Sequence, residues 1–261
     1  MKISYKIAII GGGAMGSAVA GGLLDAKVID PLQLVVSTPH PDKCRELSEK
    51  GVSVISDNPA AVFGASLVII AVKPWMLSEV IAEIRDSIDP NRTEVTAIVA
   101  GVSAEELKNM WADRLPVILS IAMPNTAMRL GESMTFLVKA NGAPELAKEV
   151  FNSLGEVMEI PERLLGAATA LASCGIAYAL RYVRAACEGG VELGFRASEA
   201  QKIVAQTLKG AVALLEQPGA HPETEIDKVT TPGGITIRGL NEMEKNGFTA
   251  AIISGLKASA K

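Results

Sequence analysis

Six residues, Gly11-Gly12-Gly13-Ala14-Met15-Gly16, limit what this chain can fold into more than any other stretch. They follow the β-branched run Lys6-Ile7-Ala8-Ile9-Ile10 and open an apolar stripe of helical spacing at Met15, Val19, Leu23 and Leu24. Strand, glycine turn and helix in that order fit the G-x-G-x-x-G pattern of a dinucleotide-binding turn. In that pattern Gly11 permits the tight turn, Gly13 leaves room for a pyrophosphate, and Gly16 lets the helix approach the strand. The unpaired N–H groups and positive end of such a helix, beginning near Ala14 and Met15, stabilise the phosphates.

Short apolar runs and helical patterns then alternate. Leu34-Val35-Val36, Val52–Ile55, Leu67–Val72, Val95–Val99 and Val117–Ile121 predict strands. Pro41–Glu49 and Ser103–Met110 predict helices, and Ser103 with Glu106 has the spacing of a capping box. Leu67–Val72 is apolar throughout, as expected of a parallel strand covered on both faces. The expected fold class is α/β, a doubly wound Rossmann-type sheet.

After Pro161 no further strand is expected. Leu164–Ala172, Ile176–Leu193, Ser198–Glu216, Thr236–Asn246 and Thr249–Ser259 predict helices, with breaks at Gly175, Gly194, Pro218-Gly219 and Pro232-Gly233-Gly234. This divides the chain into a dinucleotide-binding domain, 1–161, and an all-helical domain, 162–261. Between Leu164 and Ala186 the only charges are Arg181 and Arg184. A helix apolar nearly all round needs burial on several sides. A second copy of the chain would supply that cover; packing against its own first domain is the alternative.

Lys plus Arg number 25 against 29 for Asp plus Glu, a net charge of −4, so no basic footprint for nucleic acid is indicated. Three cysteines and two histidines, widely spaced, argue against a disulfide scaffold and against a metal site. The first ten residues are too short for a signal peptide, and no membrane span is expected. The expected location is cytoplasmic.

The second strand ends in Ser37-Thr38-Pro39-His40-Pro41, with the first acid only at Asp42. A carboxylate at that strand end favours NAD; its absence favours NADP, with NAD retained as the alternative. Ser37 and Thr38 can donate to a 2′-phosphate, helped by Lys43 or Arg45, or can simply cap the next helix. Asn58 is either an adenosine-side contact or a helix N-cap. Ala71-Val72-Lys73-Pro74 lies at the carboxyl edge of the sheet, where ligands bind. Lys73 there reaches the nicotinamide ribose or faces solvent. Thr230, Thr231 and Thr236 flank Pro232-Gly233-Gly234, a loop rich in free N–H groups that suits a carboxylate and equally suits an ordinary turn.

Gly11–Gly16, Ala71–Pro74, Met123-Pro124-Asn125-Thr126 and Asp227–Thr236 together resemble pyrroline-5-carboxylate reductase, over nearly the whole chain. The resemblance implies NADPH-dependent reduction of a cyclic imino acid, 1-pyrroline-5-carboxylate, to proline. It also implies a helical carboxyl-terminal domain that interlocks with a partner's in a homodimer; in some members dimers assemble into decamers. Residue by residue, it puts Gly11, Gly13, Ala14, Met15 and Gly16 at the pyrophosphate, and Ser37 and Thr38 at the 2′-phosphate. Asn58 falls at the adenosine ribose, Ala71, Val72, Lys73 and Pro74 along the cofactor, and Met123, Pro124 and Asn125 at the nicotinamide. Thr231, Gly233, Gly234 and Thr236 would hold the substrate carboxylate. Thr236 and Lys73 are the catalytic candidates, with Thr236 orienting the substrate.

The chain departs from the family pattern at several points. Ile121 stands where Arg is common, Ala127 where Pro is common, Thr38-Pro39 in place of Asn-Arg, and Ala172-Ser173-Cys174-Gly175-Ile176 in place of a serine-glycine-serine-glycine-proline start. These leave room for a related cyclic imine as substrate. A 3-hydroxyacid dehydrogenase of similar architecture is a rival, weakened because no lysine occurs between Leu164 and Glu199. A non-catalytic NADP-binding regulatory dimer is another.

Overall fold

A computed structural model of the chain describes residues 2–260, in two compact units, Met1–Ser173 and Cys174–Lys261. The first unit runs β1 (Ile7–Ile10), α1 (Ala14–Asp25), β2 (Leu34–Ser37), α2 (Arg45–Glu49), β3 (Ser53–Ile55), α3 (Asn58–Val62), β4 (Leu67–Ile70) and α4 (Leu77–Ile84). It continues through β5 (Glu94–Ala97), α5 (Ala104–Met110), β6 (Ile118–Met123), β7 (Ser133–Asn141), α6 (Glu145–Asn152), β8 (Gly155–Glu159) and α7 (Leu165–Ala168). The strands lie in the order β3-β2-β1-β4-β5-β6-β7-β8.

Successive residues of β1 explain the unbroken apolar runs. Ile7 and Ile9 pack into one core with Val19 and Leu23 of α1 and Phe151 of α6. Ala8 and Ile10 pack into a second core with Ile81 and Ile84 of α4 and Leu107 of α5. Both faces of the sheet are therefore covered, and neither needs polar residues. The capping box is present, with the Ser103 hydroxyl and Glu106 carboxylate each accepting a backbone N–H of the other.

The doubly wound sheet is parallel except at one edge. Strands β1 to β6 are parallel, but β7 runs antiparallel to β6 and β8 parallel to β7. The connection from β6 to β7 is a short turn, Thr126–Leu130, ending at Gly131 with φ 74°. So short a link permits only a reversal of direction.

At the start of the interior strand β5, Glu94 is 1% exposed. Its carboxylate accepts the N–H of Leu146 at 3.0 Å and of Ala147 at 2.7 Å, anchoring α6, whose own N-cap Pro144 supplies no side-chain bond. Burial pushes its pKa above the ordinary 4.5, and the two backbone bonds only partly offset this. A raised folded-state pKa means stability that is complete below the ordinary value and is lost as pH climbs through the raised one. Glu94→Gln should therefore gain on the wild type in melting temperature as the pH rises above the ordinary 4.5. A difference that stays flat with pH would show that ionising Glu94 costs the fold nothing.

From Glu162 the chain is helical. A 3-10 turn, α7 and a π turn (Thr169–Ser173) lead directly into α8 (Cys174–Glu192), so the break expected at Gly175 does not occur. An isolated helical glycine costs only about 1 kcal/mol, and the surrounding Ala and Leu favour continuation. The other breaks hold: Gly194, Gly219 and Gly233 have φ of 104°, 76° and 69°. The second unit continues with α9 (Ala197–Leu215), α10 (Pro222–Val229), α11 (Ile235–Lys245) and α12 (Phe248–Ser259). Helix α10 was not expected; it starts where His221 caps it and Pro222 occupies its first position.

Among the described residues of the second unit only Ala200 is buried. An apolar groove of about 820 Å³ crosses it, lined by Tyr178, Tyr182, Ala186, Leu208, Phe248 and Ile252 among others. The helical stretch Glu162–Glu192 reaches a mean hydropathy of 1.4 and is long and apolar enough to cross a membrane, with 11% of that window buried within the chain.

Candidate active site

The strand order reverses between β1 and β4, where an open α/β sheet places its ligand crevice. Gly11 has φ 112°, and a Cβ there would lie 2.4 Å from the Ala71 carbonyl oxygen. A Cβ on Gly16 would lie 1.9 Å from the Gly11 carbonyl oxygen. Both glycines are thus required by the protein itself. Gly13 differs, since a Cβ there meets nothing within 4 Å. That open space sits at the N-cap of α1, a helix with no side-chain cap and no acid in its first turn. With Gly13 and Ala14 exposed, the arrangement fits a diphosphate: space for it, free N–H groups and a positive helix end.

At the end of β2 Ser37 is 1% exposed, and its hydroxyl donates to Asn58 Oδ1 at 2.7 Å. The Asn58 Nδ2 group donates to Glu83 Oε2 at 2.6 Å. Asn58 is therefore not the N-cap; Asp57 is, accepting the Ala60 N–H at 2.9 Å. The Thr38 hydroxyl oxygen accepts the His40 N–H, leaving its own O–H free to donate. Arg45 is paired with Glu49 at 2.8 Å, in an exposed i,i+4 pair.

Lys73 is exposed at the end of β4 and precedes a single 3-10 turn, Pro74–Met76. Met123 ends β6, and the loop Pro124-Asn125 is pinned from several sides. The Asn125 N–H donates to Ser133 Oγ, its Oδ1 accepts the Ala127 N–H at 3.0 Å, and Ser173 Oγ donates to the Pro124 carbonyl at 3.2 Å. The bond from Ala127 is one that a proline at that position could not make. Beyond the loop, Arg129 lies against Gly21 of α1 and bonds Asp25 and Glu46. These ions are largely exposed, so solvent screening keeps the contribution of each pair small. They nevertheless tie this loop to the helix that begins at the glycine turn. No sequence pattern announced the contacts of Ser173 and Arg129, because their partners lie 49 and 104 residues away. Ile121, where Arg was expected by resemblance, is fully buried in β6.

In the helical unit, Thr231-Pro232-Gly233-Gly234 forms a turn closed by the Gly234 N–H donating to the Thr231 carbonyl at 2.9 Å. Proline second and a left-handed glycine third is the arrangement of a type II turn. Gly234 then caps α11 with no side-chain bond and no acid in the first turn, and Thr236 falls inside that first turn. A Cβ on Gly234 would lie 2.5 Å from Thr231 Oγ1. Thr230 is engaged elsewhere, donating to the Asp227 carbonyl at the end of α10.

Comparison with known proteins follows the same division. A family model described as pyrroline-5-carboxylate reductase dimerisation matches residues 162–261, and one described as NADP oxidoreductase coenzyme F420-dependent matches residues 6–99. Pyrroline-5-carboxylate reductase 2 of Dictyostelium discoideum is 34% identical, covering 100% of this chain and 93% of that protein. Pyrroline-5-carboxylate reductase 1 of the same organism is 38% identical over 97% of this chain, which spans 48% of its length. The crystal structure of Plasmodium falciparum pyrroline carboxylate reductase with NADP bound superposes with a TM-score of 0.88 at 25% identity, covering 100% of this chain and 97% of that one.

Proposed function

The chain belongs to the pyrroline-5-carboxylate reductase family, and from that premise we propose that it reduces 1-pyrroline-5-carboxylate to L-proline with NADPH, as a homodimer joined through its helical unit. Residues 1–161 hold the cofactor and 162–261 bind the substrate and the second copy. The observation that carries the reading is the open space at Gly13 before the uncapped start of α1.

The nicotinamide, when bound, supplies a hydride to the imine carbon. A protonated imine is already electrophilic, so the chain's residues chiefly orient and anchor. Gly13, Ala14 and Met15 hold the diphosphate through backbone N–H groups, and Thr38 and Asn58 face the adenosine ribose. Ala71, Val72, Lys73 and Pro74 border the cofactor, while Met123, Pro124 and Asn125 support the nicotinamide. The backbone N–H of Gly233 and the Thr236 hydroxyl anchor the substrate carboxylate, while Gly234, whose N–H closes the turn on the Thr231 carbonyl, and Thr231 shape the loop. Donor and acceptor carbons must come within about 3–3.5 Å. The reaction uses water-soluble reactants, in keeping with a cytoplasmic location.

Purified protein should oxidise NADPH on addition of 1-pyrroline-5-carboxylate and form proline; no turnover with this imine, but turnover with 3-hydroxyacids, would replace the reading. Thr236→Ala removes one charge-assisted bond, worth about 1.5–3 kcal/mol. It should raise the KM for the imine at least about tenfold with an unchanged melting temperature. Unaltered kinetics would take Thr236 out of the site.

A further inference from the structure

The sequence presents no carboxylate at the end of β2, yet the fold brings one there from a different element. Glu83 projects from α4, and its Oε2 accepts the Asn58 Nδ2 group at 2.6 Å. Asn58 Oδ1 in turn accepts the hydroxyl of Ser37, the last residue of β2. The relay fixes the orientation of the amide, because an ionised carboxylate can only accept. An N–H group that a 2′-phosphate would use is thus already given to a carboxylate.

The surroundings reinforce this. A cavity of about 580 Å³ beside the end of β2 is lined by Pro39, Asp57, Asn58, Met76, Glu79 and Glu83 among others. Among the described residues that line it there is no lysine or arginine. Asp57 Oδ1 is engaged in capping α3 and Glu83 Oε2 in holding Asn58, which leaves Glu79 and the second oxygen of Glu83 to face a ligand. The ribose 2′ position of a bound dinucleotide falls at the end of the second strand in this fold. A 2′-hydroxyl can donate to a carboxylate there, whereas a 2′-phosphate brings a charge of about −1.5 to −2 against it.

We propose that Glu83, acting through Asn58, supplies from α4 the carboxylate that β2 lacks and narrows the preference of this chain for NADPH over NADH. Glu83 is a specificity residue: it favours a ribose hydroxyl and opposes a ribose phosphate, while Thr38 still offers its O–H to either. The inference rests on the dinucleotide reading of the glycine turn, so the test separates the two.

Wild type and Glu83→Gln are titrated by calorimetry with adenosine 2′,5′-bisphosphate and with 5′-AMP, which need no turnover. Glutamine keeps an acceptor for Asn58 and removes only the charge. The variant should bind the bisphosphate about tenfold more tightly and 5′-AMP no more tightly. In steady state the ratio of KM for NADH to KM for NADPH should rise by a similar factor. Affinities that shift equally for both nucleotides, or for neither, overturn the role of Glu83 and leave the dinucleotide site standing. Absence of binding by either nucleotide to either protein overturns both. Because Glu83 is exposed, Glu83→Ala provides a second folded variant, with the same expected direction.

Discussion

Gly13→Val is expected to abolish dinucleotide binding while leaving the protein folded. The position has φ −74° and ψ −169°, a conformation open to any L-residue, and a Cβ there meets nothing within 4 Å. What valine would occupy is the space before the free N–H groups of α1. Loss of close approach by the diphosphate should weaken NADPH binding by about a hundredfold or more, about 2.7 kcal/mol. The melting temperature should move by no more than a few degrees, about what a weakened helix cap costs. Gly16→Val provides the contrast, because its Cβ would overlap the Gly11 carbonyl; that variant should lose the fold as well as the ligand. Normal NADPH affinity in Gly13→Val would show that the diphosphate lies elsewhere.

The second large effect is expected at Ile252→Asp. Ile252 is 45% exposed within one chain and lines the apolar groove of the helical unit. In a two-fold dimer a single substitution appears on both copies. Each buries an aspartate in place of an apolar side chain worth about 1.5–3 kcal/mol, and an unpaired charge adds more. Sedimentation should shift from a dimer or larger to a species near 27.3 kDa, and turnover should fall with it. NADPH binding to the first unit should survive, since Gly11 to Gly16 and their neighbours belong to that unit. A variant that stays dimeric would mean that a different face holds the copies together.

Much of this was legible in the sequence because it rests on local rules. The glycine turn, the apolar runs of β1, β2 and β4, the capping box of α5 and the glycine breaks at Gly194, Gly219 and Gly233 all follow from residues close together in the chain. The parts that were not legible depend on partners brought from far away. Glu94 reads as the polar start of a strand, and only the fold sets α6 over it. Glu83 reads as one more solvated helix residue, and only the fold carries it to Asn58. Strand β7 escaped because a doubly wound pattern leads one to expect a helix after β6. The through-going helix at Gly175 escaped because glycine is read as a stop, when its cost is small beside the Ala-rich sequence around it.

A unit whose described residues bury only Ala200 draws its stability from association, and association obeys mass action. Each tenfold dilution then withdraws about 1.4 kcal/mol from the coupled equilibrium. Thermal midpoints of the helical half should climb with protein concentration, and highly diluted stocks should lose activity that concentration restores.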